Sequence, residues 1–167
     1  KKLYAGRTPD QIFTLESDFD AETLVTTLKN AGFKKLIVTA KHHDGFCIWN
    51  SAYTDYDIAS TSYKNGEGDI LAEISEACTA ANMDMGLYLS PWDVAESTFG
   101  ANGGTIDNAY NEYYNNQLEE ILSNPKYGNK GHFVEVWMDG ANGYNNVPQT
   151  YNFEKWFATI QKYEGKE

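Results

Sequence analysis

The stretch from Lys34 to Phe46, KKLIVTAKHHDGF, joins an apolar run to two of the three histidines in the chain and to a carboxylate. Lys35–Thr39 is short and rich in β-branched and aliphatic residues, which reads as a buried strand. Successive strand residues point to opposite faces, so His42 and His43 can turn toward one pocket only where the strand ends. The stretch therefore reads as the carboxyl end of a buried strand opening into a ligand site.

Two further segments share this character, Met85–Leu89 (MGLYL) and Phe133–Trp137 (FVEVW). Helical patterns lie around them. They run over Ala21–Ala31 behind the cap candidate Asp20, Ile70–Ala81 behind Asp69, about Asp107 to Ser123 before Asn124-Pro125, and about Phe153 to Tyr163. Strands separated by helices of ten or more residues require parallel pairing, so the fold class is α/β, as a barrel or an open doubly wound sheet. With 167 residues and no linker or repeat, a single segment spanning 1–167 is expected.

Each strand runs out into polar groups: His42-His43-Asp44, then Ser90-Pro91-Trp92-Asp93, then Asp139-Gly140. Parallel α/β folds bind ligands at that carboxyl edge. Packing alone would scatter such groups over both ends of the sheet, so a shared site is the better account. The loops Asp44–Gly68 and Ser90–Thr105 exceed the length of ordinary connections and carry Tyr, Trp, Asn and Asp.

Composition limits the ligand. Thirteen basic against 24 acidic residues give a net charge of −11, which repels phosphate backbones and anionic headgroups and excludes nucleic acid as a natural partner. No apolar run reaches the ~20 residues of a membrane span, so no membrane insertion is expected. Cys47 and Cys78 have neither disulfide-framework nor zinc-ribbon spacing. Serine-elbow, P-loop and dinucleotide motifs are absent from the sequence.

Each motif has a plainer reading. An adjacent histidine pair can be one satisfied core donor and one solvated loop residue. Asp139 before Gly140 can be a turn or cap. Histidines with nearby aspartates are zinc or iron ligand types, although the tight HxH and HxxxH spacings are missing. Glu135 shares the parity of Trp137 and Asp139 and should lie about 13 Å below the latter as a paired interior carboxylate.

Three motifs, TAKHHDGFCIWNS (39–51), GLYLSPWD (86–93) and EVWMDGANG (135–143), resemble glycoside hydrolase family 29, the retaining α-L-fucosidases. The resemblance implies a (β/α)8 TIM barrel. It implies that Asp139 is the nucleophile, that His42, His43 and Tyr88 contact fucose, and that Trp137 lies beside the nucleophile. Phe46, Trp49, Trp92 and Asp93 become pocket or aglycone contacts, with Trp137 and Phe46 as candidate walls for the sugar methyl. The forms YLSPWD and YNEYYNNQLEEIL (110–122) resemble the branch acting on α-1,3 and α-1,4 linkages.

The family's acid/base glutamate comes from a loop well after the nucleophile, and Glu154, Glu164 and Glu167 follow or lie on the final helix. A barrel of this type needs ~250 residues, so the chain is expected to be the middle of a catalytic domain, incomplete at both ends. The implied partner is a fucosylated oligosaccharide or glycoconjugate, with no cofactor and no metal, in an extracellular or cell-surface setting. The competing readings are a metal-dependent barrel hydrolase using His42, His43, Asp44 and Asp139, and a fucose-binding but inactive fragment.

Overall fold

The computed structural model describes residues 6–15, 19–140 and 147–165. In chain order the elements are α1 (Pro9–Ile12), α2 (Ala21–Asn30), β1 (Lys35–Lys41), α3 (Ile70–Ala80), β2 (Asp84–Leu89), α4 (Ala109–Leu122), β3 (Glu135–Trp137) and α5 (Phe153–Glu164). The strands form one parallel sheet in the order β1-β2-β3, with Thr39, Tyr88 and Trp137 in register.

One face of this sheet is covered by helices. Val38 and Ala40 of β1 and Met85, Leu87 and Leu89 of β2 are buried there, together with Val25 of α2, Leu71 and Ile74 of α3, Leu118 and Ile121 of α4 and Trp156 of α5. The opposite face carries Thr39, Tyr88, Glu135 and Trp137, and Trp137 is half exposed. Sequential parallel strands with helices on one face only are an arc of a (β/α)8 barrel wall; a doubly wound sheet would carry helices on both.

Local chemistry sets the element ends. Asp20 accepts from the Thr23 amide at 3.0 Å and Asp69 from the Ala72 amide at 2.9 Å, so both expected caps are made. Asn152 does the same for α5 through Lys155. The third strand starts two residues later than its sequence pattern, although the Val134 amide already donates to the Met85 carbonyl at 3.0 Å, and the Phe133 amide donates to Glu164. Glu135 is paired as expected, with Lys35. The two reach each other across Gly86, where an added Cβ would stand 3.0 Å from Ile37 and 3.4 Å from Glu135.

Asp69 ties the start of α3 to the loop after α4: besides capping α3 it accepts from the buried Tyr127 hydroxyl at 2.8 Å and pairs with Lys126. Asp69→Ala removes a cap and strands a buried phenol, together about 2–4 kcal/mol. Urea unfolding of a polypeptide containing the chain should show that loss, and Asp69→Asn, whose single carbonyl oxygen can keep the Ala72 cap while its NH2 faces the Tyr127 hydroxyl, should show a smaller one.

Candidate functional site

β1 does not stop at Thr39 but runs on to Lys41, and its register against β2 shifts between those residues, Thr39 facing Tyr88 and Lys41 facing Leu89. Regular alternation would put Lys41 on the open face with Thr39. The shift sends it toward the helices instead. There its fully buried ammonium meets Asp93 Oδ2 at 3.2 Å and Gln117 Oε1 at 2.7 Å, with the Tyr113 and Tyr114 rings 5.3 and 5.2 Å away.

The second Asp93 oxygen accepts from the Ala95 and Glu96 amides. Gly45, at φ +85°, packs so closely that an added Cβ would lie 2.2 Å from that oxygen. One ion pair thus holds the loop after β1 against the loop after β2.

Held this way, the two imidazoles lie side by side with ring centroids 4.0 Å apart. His42 stacks on Tyr88 at 5.8 Å with the rings 5° from parallel, and Tyr88 leads on to Trp137 at 6.5 Å. His43 rests on Trp92 at 4.6 Å, and its Nδ1 lies 2.7 Å from Ser90 Oγ. From the end of β3 comes Asp139, whose Oδ2 accepts from the Tyr88 hydroxyl at 2.9 Å and whose Oδ1 accepts from the Gly140 amide at 2.7 Å. Gly140, at φ +74°, crosses His43 so tightly that a Cβ would stand 2.7 Å from Cε1. His42, His43, Tyr88, Trp137 and Asp139 therefore meet at the carboxyl edge of three adjacent strands.

The electrostatics separate the roles. The Tyr88 hydroxyl, and then the Gly140 amide, hold the Asp139 carboxyl below the usual carboxylate range, so it is ionised at neutral pH. Burial, reinforced by His42, lowers the His43 pKa and keeps that imidazole neutral. Burial and the bond to Asp139 push the Tyr88 phenol up to about 12, so it remains a donor. Burial raises the Asp44 carboxyl. An ionised, partly solvated carboxylate beside neutral hydrogen-bonding rings is suited to attack on an electrophilic carbon of a hydroxylated ligand.

Three sequence expectations are corrected. Trp49 is completely buried and donates its indole N–H to Glu120 at 2.8 Å, which makes it core. Phe46 is buried, stacked on Phe13 at 5.2 Å and edge-on to Tyr56 at 5.4 Å. Asp93 is spent on Lys41 and on two amides. None of the three offers surface to a ligand. Trp92, also buried, backs His43.

Sequence reasoning assigned Lys41 no role and Ser90 none beyond a polar strand end; the signal for the first was a lone lysine between an apolar strand and the histidines. Among the described residues no three His, Cys, Asp or Glu side chains gather as a metal-ligand set. Glu154 is exposed on the first turn of α5, Glu164 is tied to the Phe133 amide at the opposite sheet edge, and Glu167 lies outside the described residues.

The chain is similar to known proteins over nearly its whole length. A family model described as alpha-L-fucosidase matches residues 8–166. The chain is 42% identical over 161 residues to Alpha-L-fucosidase 1 of Arabidopsis thaliana, covering 96% of this chain and 30% of the plant protein. A Ruminococcus gnavus GH29 fucosidase solved in complex with fucose is 66% identical, with a TM-score of 0.90 over 99% of this chain and 35% of that one. The crystal structure of SpGH29 is 47% identical with a TM-score of 0.86, covering 94% and 34% of the two chains. The chain thus spans roughly a third of the length of the proteins it matches.

Removing one partner of a buried ion pair leaves the other charge uncompensated, which costs about 3–5 kcal/mol. Lys41→Met should destabilise by that amount in chemical denaturation, and Lys41→Met combined with Asp93→Asn should recover a measurable part of the loss.

Proposed function

The chain belongs to the alpha-L-fucosidase family, GH29, and from that premise we propose that the complete polypeptide is a retaining α-L-fucosidase whose nucleophile is Asp139. The observation that carries the reading is the ionised Asp139 carboxylate, held by Tyr88 and Gly140 beside the His42–His43 pair. A second support is the fucose bound in the similar Ruminococcus gnavus structure. The motif forms quoted for the linkage branch favour α-1,3- and α-1,4-linked fucose on branched glycans.

In the first step an Asp139 oxygen attacks the anomeric carbon as the glycosidic C–O bond breaks, and the departing oxygen takes a proton from a carboxylic acid. In the second, water attacks the same carbon and gives a proton to that now ionised carboxylate. The ester bond to Asp139 breaks, and fucose leaves with its configuration retained. His42 and His43 bind sugar hydroxyls, Tyr88 keeps the nucleophile ionised and aimed, and Trp137 supplies an apolar surface. The acid/base lies outside residues 1–167 in this reading, and the remaining strands of the barrel with it.

In the complete polypeptide, Asp139→Ala should reduce turnover of an aryl α-L-fucoside by at least about a thousandfold, with partial rescue by azide or formate. Residues 1–167 expressed alone should show no turnover. Near wild-type activity in Asp139→Ala would move the nucleophile elsewhere.

The Tyr88 hydroxyl stabilises the ionised form of Asp139, so Tyr88→Phe raises that pKa toward the ordinary carboxylate value. The acid limb of kcat/KM should accordingly move to higher pH, with activity lost first as pH falls. A limb that stays in place would remove Tyr88 from the control of Asp139.

A further inference from the structure

Ser90 follows β2 and is completely buried, with its amide bound to the Lys41 carbonyl at 3.0 Å. Its hydroxyl sits among four polar atoms: the Trp92 carbonyl at 2.8 Å, the Asp139 carbonyl at 3.4 Å, the Trp92 amide at 3.1 Å and His43 Nδ1 at 2.7 Å. A hydroxyl has one proton to give and two lone pairs to receive with. Both carbonyls can only accept and the amide can only donate. If the proton pointed at His43, the Ser90 and Trp92 oxygens would face each other at 2.8 Å with no hydrogen between them, which is repulsive. The proton therefore goes to a carbonyl, the Trp92 amide takes one lone pair, and the other lone pair is left for His43 Nδ1.

We propose that Ser90 is a positioning residue that fixes the His43 imidazole as its Nδ1–H tautomer, so that Nε2 presents a lone pair and accepts from a ligand hydroxyl. The proposal rests on the sugar-binding reading of this site and adds a demand to it: the group read by His43 must be a donor. The ring is held from other sides as well, by Trp92 against one face and Gly140 at its Cε1 edge. Rotation to exchange the two nitrogens is therefore blocked. Because burial keeps this histidine neutral, tautomer rather than charge decides what it reads.

The tautomer is read directly by nitrogen NMR of the complete polypeptide labelled with 15N-histidine, the His43 signals being assigned by their loss in His43→Asn. At neutral pH the wild type should show a protonated, pyrrole-like Nδ1 and a bare, pyridine-like Nε2. In Ser90→Ala the Nε2–H form, which a free histidine side chain prefers, should gain population, the Nε2 signal moving toward the pyrrole-like region, while kcat/KM for an aryl α-L-fucoside falls. A bare Nδ1 in the wild type would overturn the proposal whether or not Ser90→Ala folds, and so would tautomer signals that Ser90→Ala leaves unmoved. If the assigned tautomer and its response to Ser90→Ala are seen in a polypeptide that hydrolyses no fucoside, the Ser90 assignment stands and the fucosidase reading falls.

Discussion

The site depends on a buried charge. Lys41 lies at the last rung of β1 with no exposure, neutralised by Asp93 and hydrogen-bonded to Gln117 between two tyrosine rings. Taking an ammonium and a carboxylate out of water is expensive, and the outlay is recovered only when geometry and extra hydrogen bonds are good. Here the same carboxylate also caps the chain at Ala95 and Glu96 and admits only glycine at position 45. The pair is therefore better understood as a device that selects one arrangement of two long loops than as a source of net stability. His42 and His43 follow Lys41 directly, so the arrangement it selects sets where the imidazoles go.

Around that anchor the chemistry divides between the two sheet faces. The helix-covered face is largely apolar core, aliphatic on the strands and mixed aliphatic and aromatic on α4 and α5. The open face carries a ladder from the Lys35–Glu135 pair through Thr39, Tyr88 and Trp137 to Asp139, and the histidines join it beyond the end of β1. Tyr88 is central to that ladder: it stacks on His42, donates to Asp139 and neighbours Trp137. A tyrosine held far from ionisation is suited to this place, because it can give its proton to a carboxylate without surrendering it.

Much of this was legible in the sequence, for physical reasons. The strands announced themselves by β-branched and aliphatic runs, and Asp20 and Asp69 marked helix starts because an aspartate there satisfies an otherwise orphaned amide. His42, His43, Tyr88, Trp137 and Asp139 could be placed at one edge because parallel strands share a direction. The register shift after Thr39 could not be read, since it depends on where Lys41 finds a counter-charge 52 residues away. Phe46, Trp49 and Asp93 were misplaced for a related reason. An aromatic or acidic residue in a long loop looks the same whether it faces a ligand or the interior, and only the partners, Phe13, Glu120 and Lys41, tell the cases apart. Ser90 could be placed at a strand end but given no role of its own, because its importance lies in what surrounds it.

The helix α4 links the loop after β1 to the core from far along the chain. Gln117 reaches Lys41 across 76 residues and Glu120 reaches Trp49 across 71, while Glu120 also takes the Ser51 hydroxyl and the Ala52 amide. Loop-closure entropy has to be overcome before contacts of such separation return anything, and it is the distant contacts that make α/β topologies slow to fold. The contacts that hold the loop bearing the histidines are complete only when α4 is in place. The loop nearest the chemistry is thus synthesised well before the residues that hold it in place.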